Sequence, residues 1–342
     1  MARSCARWPV RVEIKVPGVK KVPMSRRILI GTDEAGYGPN LGPLTVTGTA
    51  WEIPGDVDPS SLWQEFSKVL TNAPVRGDDR LFVADSKEVY SSGDGLEDLE
   101  VPVLAFLKTL GVETATIDTI GHAVAGADFA DLYREEIWNP SPGMTLPCDA
   151  SEEHILEWQE TLQREMDAKE IRLLGVRSRI MFPREFNELV DVTGSKGAVL
   201  STATLQLVRL LSDEHSEGKP ATVVCDKHGG RNRYDEVIST QFDDQFVFRL
   251  EESRERSRYR MGRMEFCFRT KAEELLPVAL ASMVSKYLRE VLMHQFNAFW
   301  SARIPGLKPT QGYPQDAKRF REDIAETARL LLVQDAVLWR NR

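Results

Sequence analysis

Apolar positions along the chain repeat with a period of two in some stretches and about 3.6 in others, and the changes of period lay out the elements. Residues 27–33 (RILIGTD) read as a short buried strand that runs into a glycine-rich turn, Gly36-Tyr37-Gly38-Pro39-Asn40. Residues 44–53 (LTVTGTAWEI) alternate apolar and polar positions, which predicts a second strand returning beside the first. Residues 97–111 read as a helix. The texture changes over about 120–168, where the loop Asn139-Pro140-Ser141-Pro142-Gly143 precedes a polar helix near 151–168; this stretch reads as a partly helical insertion, lid-like in character. Residues 171–181 are strand-like, 196–213 helical, and 221–225 (ATVVC) form a short strand ending at Asp226. Further strands are expected at 245–251, 257–261 and 264–270. Pro277 suits a first helical turn, and Leu280, Met283, Val284, Tyr287, Leu288, Val291 and Leu292 recur at helical spacing after it. A last helix is expected over about 315–339. Strands alternating with helices predict an α/β fold with a mixed sheet.

Composition narrows the class. With 342 residues, 42% hydrophobic and 28% charged, the chain has the balance of an ordinary globular protein. No stretch approaches the ~18 uncharged apolar residues of a membrane span, so no membrane association is expected. The net charge of −8 is uneven, because residues 1–27 carry eight Lys/Arg against Glu13 alone. That basic extension is set aside as a flexible segment, and 28–342 is read as the catalytic domain. Its acidic excess weighs against broad, unspecific nucleic-acid binding. A local exception is 249–271, with eight Lys/Arg against four Glu, which reads either as a solvated charged hairpin or as a surface for duplex backbone. The four cysteines form no C-x-x-C pair; Cys225 and Cys267 lie in apolar runs, and a reducing cytoplasm fits them.

Candidate chemistry lies in the acids at strand ends. Asp33 and Glu34 close the first strand, Asp226 closes the strand 221–225, and Glu273 follows 264–270 just before the helix that Pro277 starts. Adjacent residues on a regular strand face opposite ways, so a twist is needed to turn both Asp33 and Glu34 toward one site. If these strands are neighbours, four acids gather at one sheet edge, where they repel one another unless a cation neutralises them. Hard oxygen ligands suit Mg²⁺ or Mn²⁺. Two such ions about 4 Å apart can activate water and stabilise the leaving oxygen of a phosphodiester.

The residues around these acids resemble a known family. Gly31-Thr32-Asp33-Glu34-Ala35-Gly36-Tyr37-Gly38-Pro39 is similar to the D-E-A-G-R-G-P opening of type 2 ribonucleases H (ribonuclease HII). Asp85-Ser86-Lys87 resembles that family's D-S-K, and Val223-Val224-Cys225-Asp226 the strand ending in its third acid. Lys271-Ala272-Glu273-Glu274-Leu275-Leu276-Pro277-Val278 resembles K-A-D-x-x-x-P-V, and Gly312-Tyr313-Pro314-Gln315-Asp316 resembles G-Y-P-S-D. The matches keep family order from 31 to 316.

The resemblance implies an RNase H-like fold, a mixed central sheet flanked by helices. It implies two-metal hydrolysis of the RNA strand of RNA–DNA hybrids, or at ribonucleotides embedded in duplex DNA, with Asp33, Glu34, Asp226 and Glu273 binding Mg²⁺ or Mn²⁺. Gly36, Tyr37 and Gly38 would meet the ribose 2′-OH, Tyr313 would pack on the sugar at the RNA–DNA junction, and Lys87 would contact a phosphate. No protein partner is expected. The chain departs from the family at Tyr37, where an arginine is usual, at Glu273, where aspartate is usual, and in Lys227-His228-Gly229-Gly230-Arg231 after the third acid. Two other readings stand beside this one: an RNase H-fold nuclease acting on another nucleic acid, and a non-catalytic nucleic-acid-binding homologue. Retention of a carboxylate at all four positions weighs against the second.

Overall fold

The computed structural model describes residues 25–91, 95–140, 142–243 and 245–341. The basic extension therefore lies outside the described residues, apart from its last three positions. Two of those belong to the fold. Strand β1 (Arg26–Ala35) pairs antiparallel with β2 (Leu44–Pro54) from the pair Arg26–Pro54 onward. The apolar pattern marks buried side chains and is blind to ladder hydrogen bonds, so the strand begins earlier than the pattern suggests.

The central sheet has seven strands in the order β5-β2-β1-β6-β9-β8-β7. The five beyond the first pair are β5 (Arg172–Met181), β6 (Ala221–Asp226), β7 (Phe248–Glu252), β8 (Arg256–Met261) and β9 (Met264–Arg269); the two-residue strands β3 (Leu70–Thr71) and β4 (Leu81–Phe82) pair apart from them. β1, β6 and β9 run parallel, and their neighbours on either side run antiparallel. The result is α/β with a mixed central sheet flanked by helices, as the motifs imply.

Alternation along β1 feeds two apolar layers. Leu29 joins the layer that includes Trp51, Ile53 and Val224, while Ile28 and Ile30 face the opposite one with Val223 and Cys225. Early helices α1 (Leu62–Glu65), α2 (Ser86–Val89) and α3 (Glu97–Thr109) lie over the first layer. So do α4 (Ile117–Ala125), α5 (Phe129–Glu135) and α6 (Glu152–Lys169): Ile120, Phe129, Ile155 and Leu162 pack into the same core as Trp51. The stretch read as a lid-like insertion is thus a wall of the main core. Its polar texture reflects helices with one buried stripe; in α6 only Ile155, Leu162 and Met166 are buried.

The opposite layer is covered by α8 (Lys196–His215) and α9 (Asp235–Gln241), with α7 (Pro183–Thr193) beside α8. The long α10 (Leu276–Ser301) lies across β1 and β2, with Pro277 in its first turn as expected. The final helix is broken in two, α11 (Pro314–Leu330) and α12 (Asp335–Leu338). Leu332 takes a left-handed conformation (φ 57°), and Val333 turns back to donate to the Ala328 carbonyl (3.0 Å). The break carries no glycine or proline, so the sequence gives no punctuation there. Among the described residues no helix is long and apolar enough to cross a membrane.

One buried acid in this wall makes stability depend on pH. Glu136, at the end of α5, is 3% exposed and one of its carboxylate oxygens has no hydrogen-bond partner among the described residues. Burial, with Glu135 adding and Arg184 opposing, pushes its carboxyl up to about 8. The folded state then keeps a proton that the unfolded chain releases above the ordinary value of 4.5. The associated stability is complete below that value and is lost as pH rises through about 8. A loss of roughly 2–4 kcal/mol is expected from this group between pH 5 and 8.5. Denaturant unfolding of Glu136→Gln at both pH values checks it: the variant should gain on the wild type as pH rises. Parallel behaviour of the two proteins would reject the assignment.

Candidate active site

The topology delivers the acids. Because β1 and β6 are parallel and Thr32 pairs with Cys225, Asp33 and Asp226 extend adjacent strands at one level. Asp33 shares the parity of Gly31, whose Cα faces the first turn of α10, so it continues β1 on the α10 side. Glu273 sits in the short 3₁₀ turn Ala272–Glu274 between β9 and α10. These three acids and Asp85 line one cleft of about 510 Å³. Asp85 enters as the N-cap of α2, accepting from the Lys87 backbone N–H (3.2 Å) while Ser282 of α10 donates to its carboxylate (3.4 Å). The sequence marks Asp85 as a cap and leaves its membership of the cluster unseen, although it stands inside the D-S-K motif.

Glu34 has the opposite parity and does not share that wall. It is still close in electrostatic terms: burial first, then the charges of Asp33 and Asp226, hold its carboxyl well above the usual range. Asp33 is pushed up to about 7 by burial, with Asp226 and Asp85 adding. Burial also raises Asp226 and Glu273, each with a contribution from Asp85. Lys87 answers the cluster. Against partial desolvation, Asp85, Asp33, Glu273 and Glu34 keep its ammonium above the ordinary value, and it lies 3.6 Å from Asp85.

Basic groups share the cleft with the acids. Lys227 donates to Asn232 (2.7 Å) and to the Ser253 carbonyl (2.7 Å), and Lys271 and Arg254 stand on the same lining. Arg254 belongs to the arginine-rich stretch, in the turn between β7 and β8. Most of its fellows are spent on acids: Arg249 pairs with Asp235 and Glu252, Arg256 with Glu251, and Arg258 and Arg260 with Glu265. His228 does not face the cleft. It is buried between Ser201 (3.0 Å) and Thr204 (3.4 Å), its ring edge against Tyr234 and Phe268, and burial drives its pKa down to about 3, so it stays neutral.

The glycine turn leads from the acids to Tyr313. Gly36 has φ 88°, and a Cβ there would stand 2.6 Å from the Pro43 carbonyl oxygen, so both conformation and space call for glycine. Tyr37 is half-buried with the Lys196 ammonium 4.5 Å from its ring centroid. A Cβ on Gly38 would lie 3.8 Å from Tyr313, which is exposed at the start of α11. The turn and Tyr313 are therefore neighbours, 275 positions apart in sequence though they are.

Carboxylates are the right donors for a divalent cation; burial raises their proton affinities most, and neighbouring acids add a repulsion that such a cation would relieve. Among the described residues, however, no group of three or more His, Cys, Asp or Glu is already drawn together around a metal position.

Fold and cleft together define an α/β protein with a carboxylate cluster at the C-terminal ends of parallel strands. The chain is similar over most of its length to solved ribonuclease HII and HIII structures, at low identity. In the PCNA:RNase HII complex from Archaeoglobus fulgidus the matched chain is 14% identical, with 92% of this chain and 94% of that one covered, at a TM-score of 0.39. That neighbour was solved with a protein partner, unlike the expectation for this chain. Ribonuclease H2 from Pyrococcus horikoshii OT3 is 14% identical over 91% and 92% of the two chains, at a TM-score of 0.41. Bst-RNase HIII in complex with Mn²⁺ is 13% identical over 93% of this chain and 67% of that one, at 0.41. No family model matches the chain, and neither does any curated protein.

Proposed function

We propose that this protein is a divalent-metal-dependent endoribonuclease of the type 2 ribonuclease H kind, cutting the RNA strand of RNA–DNA hybrids or ribonucleotides embedded in duplex DNA. The observation that carries the reading is the convergence of Asp33, Asp226, Glu273 and Asp85 on one cleft at the end of the turn that leads to Tyr313. Asp33, Glu34, Asp226 and Glu273 would hold Mg²⁺ or Mn²⁺. When bound, the ions supply an activated water and charge stabilisation for the departing 3′ oxygen. The chain's own part is placement. Lys87 and Arg254 offer positive charge to phosphates, backbone groups at Gly36–Gly38 meet a 2′-OH, and Tyr313 presents an exposed ring to the sugar. One observation favours the alternative of a non-catalytic binder: Glu34 does not stand on the cleft lining that Asp33, Asp226 and Glu273 share.

Cleavage of three labelled duplexes, with Mg²⁺ and Mn²⁺ in separate reactions, decides between them. One duplex carries a single ribonucleotide, one a continuous RNA–DNA hybrid, and one is all DNA. Cutting of either ribose-containing duplex but not the control, lost in Asp33→Asn, supports the proposal. Binding without cutting by folded protein supports the alternative. Tyr313→Ala should raise KM for the single-ribonucleotide duplex by about ten-fold, as expected for a lost stacking contact, with kcat little changed. An unchanged KM would remove Tyr313 from the site.

A further inference from the structure

The glycine turn is held from behind by two buried arginines that face carbonyl oxygens. Arg289, on α10, donates to the carbonyls of Pro43, Leu41 (3.1 Å) and Gln311 (3.0 Å). Arg340, on the segment after α12, is 1% exposed and forks its Nη2 onto the carbonyls of Gly36 and Pro39. Its guanidinium lies 4.9 Å from the Phe186 ring centroid, and its Nε and Nη1 find no hydrogen-bond partner among the described residues. Burying cations side by side is unfavourable, and core packing alone would be served better by an apolar side chain. What a guanidinium adds is a planar, rigidly held nitrogen, Nη2, whose two N–H groups satisfy two carbonyls from one side.

The consequence reaches the ribose-facing side. A trans peptide directs its C=O and the following N–H to opposite sides. Holding the Gly36 carbonyl against Arg340 therefore turns the Tyr37 N–H away from the protein interior. The same segment also fixes the turn's position. The Arg340 N–H donates to the Asn40 carbonyl (2.8 Å), the Asn40 side chain donates to the Arg340 carbonyl (3.2 Å), and Leu41 bridges to Trp339. The Asn40 N–H in turn donates to the Gly312 carbonyl (2.7 Å), beside Tyr313. One strap thus ties together the two features that would read a sugar.

We propose that Arg340 is a positioning residue for ribose recognition, setting the orientation of the Gly36–Pro39 turn so that its outward Tyr37 N–H distinguishes a ribonucleotide from a deoxyribonucleotide. This rests on the ribonuclease reading of the cleft. A general structural role would lower the folded fraction for every substrate alike; a positioning role changes the ratio between substrates.

The test uses the full chain and two duplexes that differ by a single 2′-OH. Affinity is read by fluorescence anisotropy in an Asp33→Asn background, which separates binding from cleavage, and kcat and KM are read with Asp33 intact. Arg340→Gln is expected to reduce the preference for the ribonucleotide duplex by about ten-fold, through lost alignment of hydrogen-bonding groups, while all-DNA affinity stays unchanged. Arg340→Lys keeps the charge but not the fork, so it should fall between; it carries the test if the glutamine variant does not fold. A wild type that discriminates, with folded variants that discriminate equally well, overturns this inference alone. A wild type that neither cleaves nor discriminates overturns the ribonuclease reading, and this inference with it.

Discussion

Asp33→Asn is expected to lower turnover by at least about a thousand-fold, the scale seen when a group that stabilises developing charge is removed, and at the same time to stabilise the metal-free protein. The two effects have one cause. Burial is the main cost of Asp33's charge, and repulsion from Asp226 and Asp85 adds to it. An amide of the same shape removes that repulsion while leaving the backbone contact from Ser285 to the Asp33 carbonyl (3.1 Å) in place. A gain of about 1–2 kcal/mol in chelator-treated protein at pH 8 is expected from losing one buried like charge. Added Mg²⁺ should stabilise the wild type, by about 2.7 kcal/mol at a hundred times its Kd, and the variant markedly less. Denaturant unfolding with and without Mg²⁺, run beside the cleavage assay, measures both. A variant that loses activity and stability together would mean that Asp33 serves the fold rather than the chemistry.

How far the sequence exposes this arrangement depends on which force sets each feature. Asp33 and Asp226 are legible because each ends a strand-like apolar run, and Glu273 because it follows one just before a helix; parallel strands necessarily place such ends at one edge. The parity difference between Asp33 and Glu34 is legible too, since it follows from the strand period alone. Asp85 is visible only as a helix cap, because its approach to the cluster depends on α2 docking against Ser282, nearly two hundred positions away. Arg289 and Arg340 leave no trace in the pattern: both are charged residues that a hydropathy reading assigns to the surface, yet both are buried against carbonyls brought in by the turn. The helices over 117–135 escape notice for a related reason. Their apolar stripes are short and interrupted, and their helical state is fixed by packing on the layer around Phe106 and Trp51 rather than by local periodicity.

Gly31→Ala should be among the most damaging small substitutions in the chain, although it adds one methyl group. The new Cβ would stand 2.5 Å from the Pro277 carbonyl carbon and 2.6 Å from the Val278 nitrogen, both backbone atoms of the first turn of α10. That turn cannot retreat freely. Thr49 donates to the Pro277 carbonyl (2.8 Å), Trp51 donates to the Thr49 hydroxyl (3.0 Å), and Ser285 further along donates to the Asp33 carbonyl (3.1 Å) and meets the Thr47 hydroxyl (2.8 Å). Moving the helix breaks this row, so a cost of about 2–4 kcal/mol is expected from overpacking against backbone. Asp33 lies two residues along the same face and Glu273 just before the helix, so a displacement of roughly an ångström also misplaces the acids and should lower turnover by about a hundred-fold. Gly48→Ala supplies the control. It adds the same methyl group on the neighbouring strand, but the nearest obstacle is the Leu211 side-chain tip at 2.7 Å, which can rotate away, so less than about 1 kcal/mol is expected. Denaturant unfolding and single-turnover cleavage of both variants give the comparison. Equal losses at the two positions would show that the contact between β1 and α10 does not set the spacing of the carboxylates.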